Sequence, residues 1–309
     1  VTQPPSPPLG SDVDVAASGP GAEAVEVVHD GPIVRVFLNR PAVHNAFDGA
    51  TIEALIAAFE AAAANPRARV LVLGGRGRSF CAGADLKWMA AAGARDAAGD
   101  GDNLAGARAL ARLFDVVNDS PVPVIGRVHG AARGGGTGLV ACCDIPVASA
   151  RASFAFTEAR LGLAPAVISP YVLARVGTAA ARELFLTGAR IDAARAREVG
   201  LVQYVEDDEA ALDARVDALA ADIIKGGPRA VAACKRLAIE VPRMPRERVL
   251  AHTAGVIAAL RASEEGQEGM AAFLARRPPA WVLEAQGEVA LTGTTEAAAP
   301  EGPGKGERA

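Results

Sequence analysis

The sequence predicts a single α/β domain continued by a helical C-terminal region. Three observations predict it. Short apolar runs alternate with amphipathic helical stretches through the first two hundred residues, an order that implies βαβ crossovers and not an antiparallel sandwich. Two of these runs lead into small-residue turns, Ser79 to Ala84 and Gly134 to Gly138, each followed by a helix-compatible segment. From Ser169 onward the pattern is almost entirely helical. Of the 309 residues, about 260 suffice for one large core. Hydrophobic residues make up 50% but aromatics only 4%, so the core is expected to rest on Ala, Val and Leu.

Residues 1–23 are rich in Pro, Gly and Ser and read as a disordered tail. The core is expected over 24–205. Ala24 to His29 and Ile33 to Asn39 read as strands around Asp30-Gly31, a hairpin signal. A loop to Asn45 precedes an amphipathic helix from Phe47 to Ala64, stopped near Asn65-Pro66. Arg69 to Leu73 is a short buried strand, and Asp85 is placed to cap a helix from Leu86. The second half of Lys87 to Asp102 is polar and Gly-rich and is expected to be mobile. Asn103 to Val117 carries Leu104, Ala107, Leu110 and Phe114 on one helical face. Strands follow at Val122 to Val128 and Ile145 to Ala148. Helices are expected at 170–176, 178–187, 192–198, 208–225, 228–240, 245–263 and 264–276, with a short extended piece from Gly200 to Tyr204. The helical region is assigned to 206–284 and a second disordered tail to 285–309.

The chemistry concentrates in residues 128–162. Glycines between a strand and a helix start let backbone N–H groups face a ligand; their commoner use is a tight turn. A phosphate loop fits poorly. There is no G-x-x-x-x-G-K-[ST], and Leu139 breaks G-x-G-x-x-G. No G-x-S-x-G is present either. About twenty residues on, Glu158 stands among Phe154, Phe156 and Leu161, where a carboxylate is costly unless used or paired. Its structural alternative is an ion pair with Arg160 or Arg151. Upstream, the N–H of Ala84 also precedes a helix. Two such donors from separate turns would make an oxyanion hole.

SFCAGADL, VHGAARGGGTGLVACCDI and FTEARLGL, with LNRPAVHNAF and EGMAAFLARRPPAW, together resemble the enoyl-CoA hydratase/isomerase (crotonase) superfamily. The resemblance spans roughly residues 25 to 283, and the order and spacing of five motifs make it specific. Residues 134–145 and 161–172 are most similar to bacterial methylglutaconyl-CoA hydratases of leucine and isoprenoid breakdown. The resemblance implies a crotonase-like spiral of strands and helices, with a C-terminal region that builds a trimer or a hexamer of two trimers.

It further implies that Glu158 is the catalytic acid/base and that Ala84 and Gly135 donate the oxyanion-hole N–H groups. Substrate contacts are implied at Ala42 and His44 in the first loop, and at Ala82, Ala84, Asp85 and Leu86 in the second turn. Others fall at Gly134, Gly135 and Gly138, at Thr157 and Glu158, and at Phe273 toward a neighbouring subunit's CoA, with Arg276 and Arg277 beside it. His44 itself reads as a surface residue and His129 as packing or hydrogen-bonding beside a strand end. Trp88 and Met89 read as either core or acyl-pocket wall, with the wall preferred. Hydratases of the best-known type carry a second glutamate at the position of Gly138, and the glycine suggests room for a bulky acyl group. The implied activity is hydration of a branched 2-enoyl-CoA such as 3-methylglutaconyl-CoA, with CoA thioester as substrate and no cofactor or metal. An enoyl-CoA isomerase needs one base and is the alternative; a catalytically weak acyl-CoA-binding protein is the alternative of another class.

Composition narrows the partners. The formal net charge is −4, from 32 Lys+Arg against 36 Asp+Glu, so no polybasic surface for nucleic acid or membrane is expected. Cys81, Cys142, Cys143 and Cys234 show no zinc spacing. The adjacent pair reads as small buried hydrophobes in a reducing cytosol. No apolar run has the length of a membrane span. The first basic residue is Arg35, so the N-terminal segment resembles neither a secretory signal nor a transit peptide, and a cytoplasmic location is expected. The helical stretch with Val249, His252, Val256 and Leu260 on one face suggests a partner.

Overall fold

The computed structural model describes residues 24–97 and 103–292. The expected disordered segments 1–23 and 293–309 lie outside the described residues, as do 98–102 of the stretch expected to be mobile. In chain order the strands are β1 (Val25–Asp30), β2 (Ile33–Leu38), β3 (Val70–Gly75), β4 (Val124–Val128), β5 (Ala131–Arg133), β6 (Ile145–Ser149), β7 (Ser153–Ala155), β8 (Ile191–Asp192) and β9 (Tyr204–Glu206). The first half of the chain adds α1 (Gly49–Ala64), α2 (Leu86–Ala97), α3 (Asn103–Asn118) and α4 (Gly135–Cys142). The second adds α5 (Ser169–Thr187), α6 (Ala193–Glu198), α7 (Glu209–Ile224), α8 (Pro228–Glu240), α9 (Arg246–Ala262), α10 (Glu264–Leu274) and α11 (Ala280–Thr292).

Six strands form the main sheet in the order β1-β2-β3-β4-β6-β9. The hairpin partners β1 and β2 run antiparallel, and every later pairing in this sheet is parallel. β3 is buried along its whole length, as a central parallel strand covered on both faces must be. Its alternation divides the core in two. Leu71 and Leu73 join the large cluster under α1, α3, α4 and α5, whereas Val70 and Val72 pack with Ile125 and Val147 against Leu212, Val216 and Ala220 of α7.

A second sheet, β5-β7-β8, lies beside the first. Isolated parallel bridges extend it: Cys81 pairs with Ala132 of β5, and Ala84 pairs with Phe47. After β2, β3, β4 and β6 the chain therefore touches a second row of backbone before entering a helix. This repetition is the spiral that the motifs implied, and it gathers the segments after β2, β3, β4 and β6 at one end of the sheet.

Two features depart from the pattern. The few aromatics are not marginal: Phe47, Phe59, Phe80, Phe114, Phe154 and Phe156 are among the largest fully buried side chains. Residues 285–292, expected to belong to a disordered tail, continue α11. The expected break between helices 170–176 and 178–187, by contrast, is present: α5 kinks at Gly177, whose backbone is non-helical at φ 73° and ψ 167°. Among the described residues no helix is long and apolar enough to cross a membrane.

Candidate active site

The turn before α2 is fixed from one side. Phe47 N donates to Gly83 O and Asp85 N donates to Phe47 O, both at 2.9 Å. In a parallel bridge of this kind the central residue's own N–H points away from its partner. Ala84 is that residue, and its N–H makes no hydrogen bond among the described residues. Asp85 caps α2 as expected, its carboxylate accepting from Lys87 N at 2.9 Å and Trp88 N at 3.3 Å. Gly83 adopts φ 87°, and a Cβ there would stand 2.6 Å from Arg133 O and 3.2 Å from Gly135 N. Only glycine allows both, and through it the two turns meet.

Gly135 opens α4. Its predecessor Gly134 sits at φ 48° and donates its N–H to Ala155 O at 2.9 Å, the oxygen that also accepts from Thr137 Oγ1 at 3.2 Å. The first turn of a helix leaves N–H groups without intrahelical partners and carries the positive end of the dipole. Gly135 N makes no hydrogen bond among the described residues. At the other end, Arg175 Nε donates to Ala141 O at 2.9 Å and Nη2 donates to Cys143 O. A cation there complements the negative end of α4.

The tie between α4 and β7 also delivers the acid. Three residues past Ala155 the chain makes a 3-10 turn, Glu158–Leu161, ended by Gly162 in the left-handed region. The Glu158 carboxylate turns back over α4: a Cβ on Gly134 would stand 3.1 Å from Oε1. Oε2 is buried without a hydrogen-bond partner, and burial pushes the carboxyl above the ordinary carboxylate range. The alternative of an ion pair with Arg160 or Arg151 is not what is found. Arg160 is directed at Thr187 O, 3.2 Å from Nη2, and Glu158 makes no salt bridge among the described residues. The arrangement therefore joins two free N–H donors to a desolvated carboxylate, a constellation able to polarise a carbonyl and move a proton beside it.

Gly138 departs from expectation. It lies one helical turn from Gly134 on the same face of α4. A Cβ there would stand 2.3 Å from Ile168 Cγ2, 2.9 Å from Ile168 Cβ and 3.2 Å from Phe114 Cε1. The glycine leaves no room for an acyl group, because Ile168 already fills the space. Trp88 is half-buried and packs between α1 and α3: Cβ atoms on Gly49 and Gly106 would stand 3.3 and 3.6 Å from its indole.

The remaining positions divide. Ala82 N donates to His44 O at 2.9 Å, joining the first loop to the turn. His44 is half-buried, with Nδ1 3.0 Å from Ser79 Oγ and Nε2 3.0 Å from Arg78 Nη2; it is less a free surface residue than expected. His129 Nε2 donates to Gly77 O at 2.7 Å beside the end of β4. Ala42 and Leu86 are exposed, and Thr157 is half-buried beside Glu158. Phe273 projects from the end of α10 and is 83% exposed, while Arg277 is held by Glu268 at 2.6 Å. Asn45 and Ile168 were missed. His44 and Asn45 both sit at positive φ, 54° and 58°, a conformation that Asn tolerates better than most residues but that the sequence alone does not announce.

A family model described as enoyl-CoA hydratase/isomerase matches residues 29–284. The chain is 33% identical over 270 residues to carnitinyl-CoA dehydratase of Salmonella enteritidis, covering 84% of this chain and 98% of that one. Among solved structures, an enoyl-CoA hydratase from Shewanella pealeana superposes with a TM-score of 0.79 at 39% identity, over 84% of this chain and 96% of that chain. Pseudomonas aeruginosa AtuE gives 0.79 at 35% identity, over 84% and 100%.

Proposed function

Because the chain belongs to the enoyl-CoA hydratase/isomerase family, we propose that it adds water across the 2,3 double bond of a 2-enoyl-CoA, with Glu158 as its acid–base group. The observation that carries this reading is the orphaned, buried Oε2 of Glu158, held over the N-terminal turn of α4. In this reading the thioester oxygen accepts from the Ala84 and Gly135 N–H groups. Negative charge then gathers on that oxygen as water adds at C3, and each fixed donor contributes about 2.7–4 kcal/mol to the transition state. Glu158 takes the proton from water as the C3–O bond forms. The carboxylic acid then returns a proton to C2 as the enolate collapses, so a single carboxyl is regenerated. The burial that raises the carboxyl's pKa also makes the carboxylate a stronger base toward water. The CoA thioester is substrate, and no step calls for a cofactor or metal.

The substrate assignment is a branched 2-enoyl-CoA such as 3-methylglutaconyl-CoA. It rests on the likeness of residues 134–145 and 161–172 to methylglutaconyl-CoA hydratases; Gly138 adds nothing to it. The packing of Ile168 at Gly138 favours a second reading, enoyl-CoA isomerisation. A site with one acid and an apolar wall suits moving one proton between two carbons. A panel separates the readings. Loss of the 2-enoyl absorbance with crotonyl-CoA and 3-methylglutaconyl-CoA supports hydration, and the faster of the two reports the branching. Gain of that absorbance from a 3-enoyl-CoA, with no loss from either 2-enoyl-CoA, would replace hydration by isomerisation. Saturable thioester binding without turnover would leave an acyl-CoA-binding protein.

A further inference from the structure

Asn45 is completely buried and holds a left-handed backbone at φ 58° directly after His44 at 54°. Two successive non-glycine residues in this region are strained, and the surroundings must compensate. They do so through one amide. Asn45 Oδ1 accepts from Arg40 N at 2.8 Å. Its Nδ2 faces three carbonyl oxygens, those of Arg76 at 2.8 Å, Ser79 at 2.8 Å and Phe80 at 3.2 Å. The space for it comes from Gly75, where a Cβ would stand 2.8 Å from Nδ2 and 2.4 Å from Phe80 O.

The backbone of the same loop continues the attachment. Asn45 O accepts from Cys81 Sγ at 3.1 Å, His44 O from Ala82 N, and Phe47 engages Gly83 O and Asp85 N. From Ser79 to Asp85 every residue but one is tied to this loop. The exception is Ala84, whose N–H is left pointing the other way.

We infer that Asn45 is a positioning residue: its buried amide sets the backbone of residues 79–85 so that the Ala84 N–H is aimed at the thioester oxygen. The inference rests on the acyl-thioester reading of this site, but not on which reaction follows. Asn45→Gly keeps the left-handed backbone without strain and deletes the amide. The test compares it with the parent in two measurements: kcat and KM for crotonyl-CoA, and the carbonyl stretching frequency of bound hexanoyl-CoA by difference infrared spectroscopy. A donor aimed at the oxygen lowers that frequency whether or not turnover follows. The expected result is a fall in kcat of at least about tenfold, KM changed less than about threefold, and loss of at least part of the carbonyl shift.

A folded variant with kcat within about twofold of the parent and an unchanged carbonyl frequency would overturn the inference, even if its melting temperature fell. If Asn45→Gly does not fold, Asn45→Ser, which keeps one donor, is read on the same two measurements. Failure of both to fold would also overturn it, since the amide would then determine the fold and not the aim. A parent that turns over no enoyl-CoA yet shifts the carbonyl of hexanoyl-CoA would remove the hydratase reading alone. A parent that gives no shift would remove the thioester site and this inference with it.

Discussion

At the residue scale, Glu158 is costly where it stands, and that cost is measurable. Burial pushes its carboxyl up, so the protonated form fits the fold better than the ionised one. The stability this group contributes is present below the ordinary carboxylate range and is lost as pH rises through the raised value. Glu158→Gln carries no such loss. It should melt above the parent at about pH 8, with the gap closing at about pH 4; a variant that melts below the parent at both pH values would contradict the burial argument. Gly138 gives a second test. Gly138→Ala places a methyl against Ile168, an overpacking that costs roughly 1–3 kcal/mol. Ile168→Ala makes room but leaves a cavity of its own. The double variant should be more stable than the sum of the single losses by at least about 0.5 kcal/mol, read from urea midpoints, and simple additivity would show that the two side chains do not share the space. Here sequence and structure part company. Glu158, Ala84 and Gly135 could be singled out because each lies in a short motif. Ile168 could not, because what fills the space beside Gly138 comes from thirty residues along the chain.

At the element scale, α4 and the turn before α2 make the site. Gly135 is the first residue of α4, a position where proline is tolerated because its N–H has no helical partner. Gly135→Pro removes one donor at the cost of shifting the Phe47 ring, whose Cζ would lie 2.7 Å from an added Cβ. We expect kcat to fall at least about a hundredfold, the scale for one oxyanion donor, with the helical circular dichroism retained. Near-parent turnover by the folded variant would exclude Gly135 N as a donor. The long helices were legible because apolar residues recur at the helical period over three or four turns. β5, β7 and β8 were not, since strands of three, three and two residues are too short to show alternation. Two of them, β5 and β7, pair in parallel and carry Gly134 and Glu158 toward each other.

At the scale of the whole molecule, the spiral brings the ends of successive strands to one place, while α9 and α10 keep apolar surface uncovered. Val249, His252, Val256 and Leu260, the face picked out by periodicity, are half-buried within the chain itself, and His252 Nε2 lies 3.6 Å from Glu240 Oε2 at the end of α8. The uncovered side carries Leu250, 81% exposed, and Ile257, 56% exposed, with Phe273 and Leu274 at the end of α10. Helix periodicity identifies an apolar face but cannot say whether the same chain or another copy covers it. Exposed apolar surface of this kind marks an interface, and we expect a trimer or a hexamer. Light scattering on the parent should report that mass, and Leu250→Glu should lower it. A monomeric parent at micromolar concentration would contradict the assembly and leave Phe273 without a neighbouring site to serve.

The measurement that bears most directly on the whole proposal is kcat of Glu158→Gln with crotonyl-CoA, with thioester binding followed by calorimetry. Glutamine keeps the size of the side chain and cannot take the proton, while Ala84, Gly135 and the loops that hold them are unchanged. We expect hydration to fall by roughly 10²–10⁴-fold with the dissociation constant for a CoA thioester changed by less than about threefold. Retention of more than about a tenth of the parent rate, with binding intact, would move the proton transfer to another group.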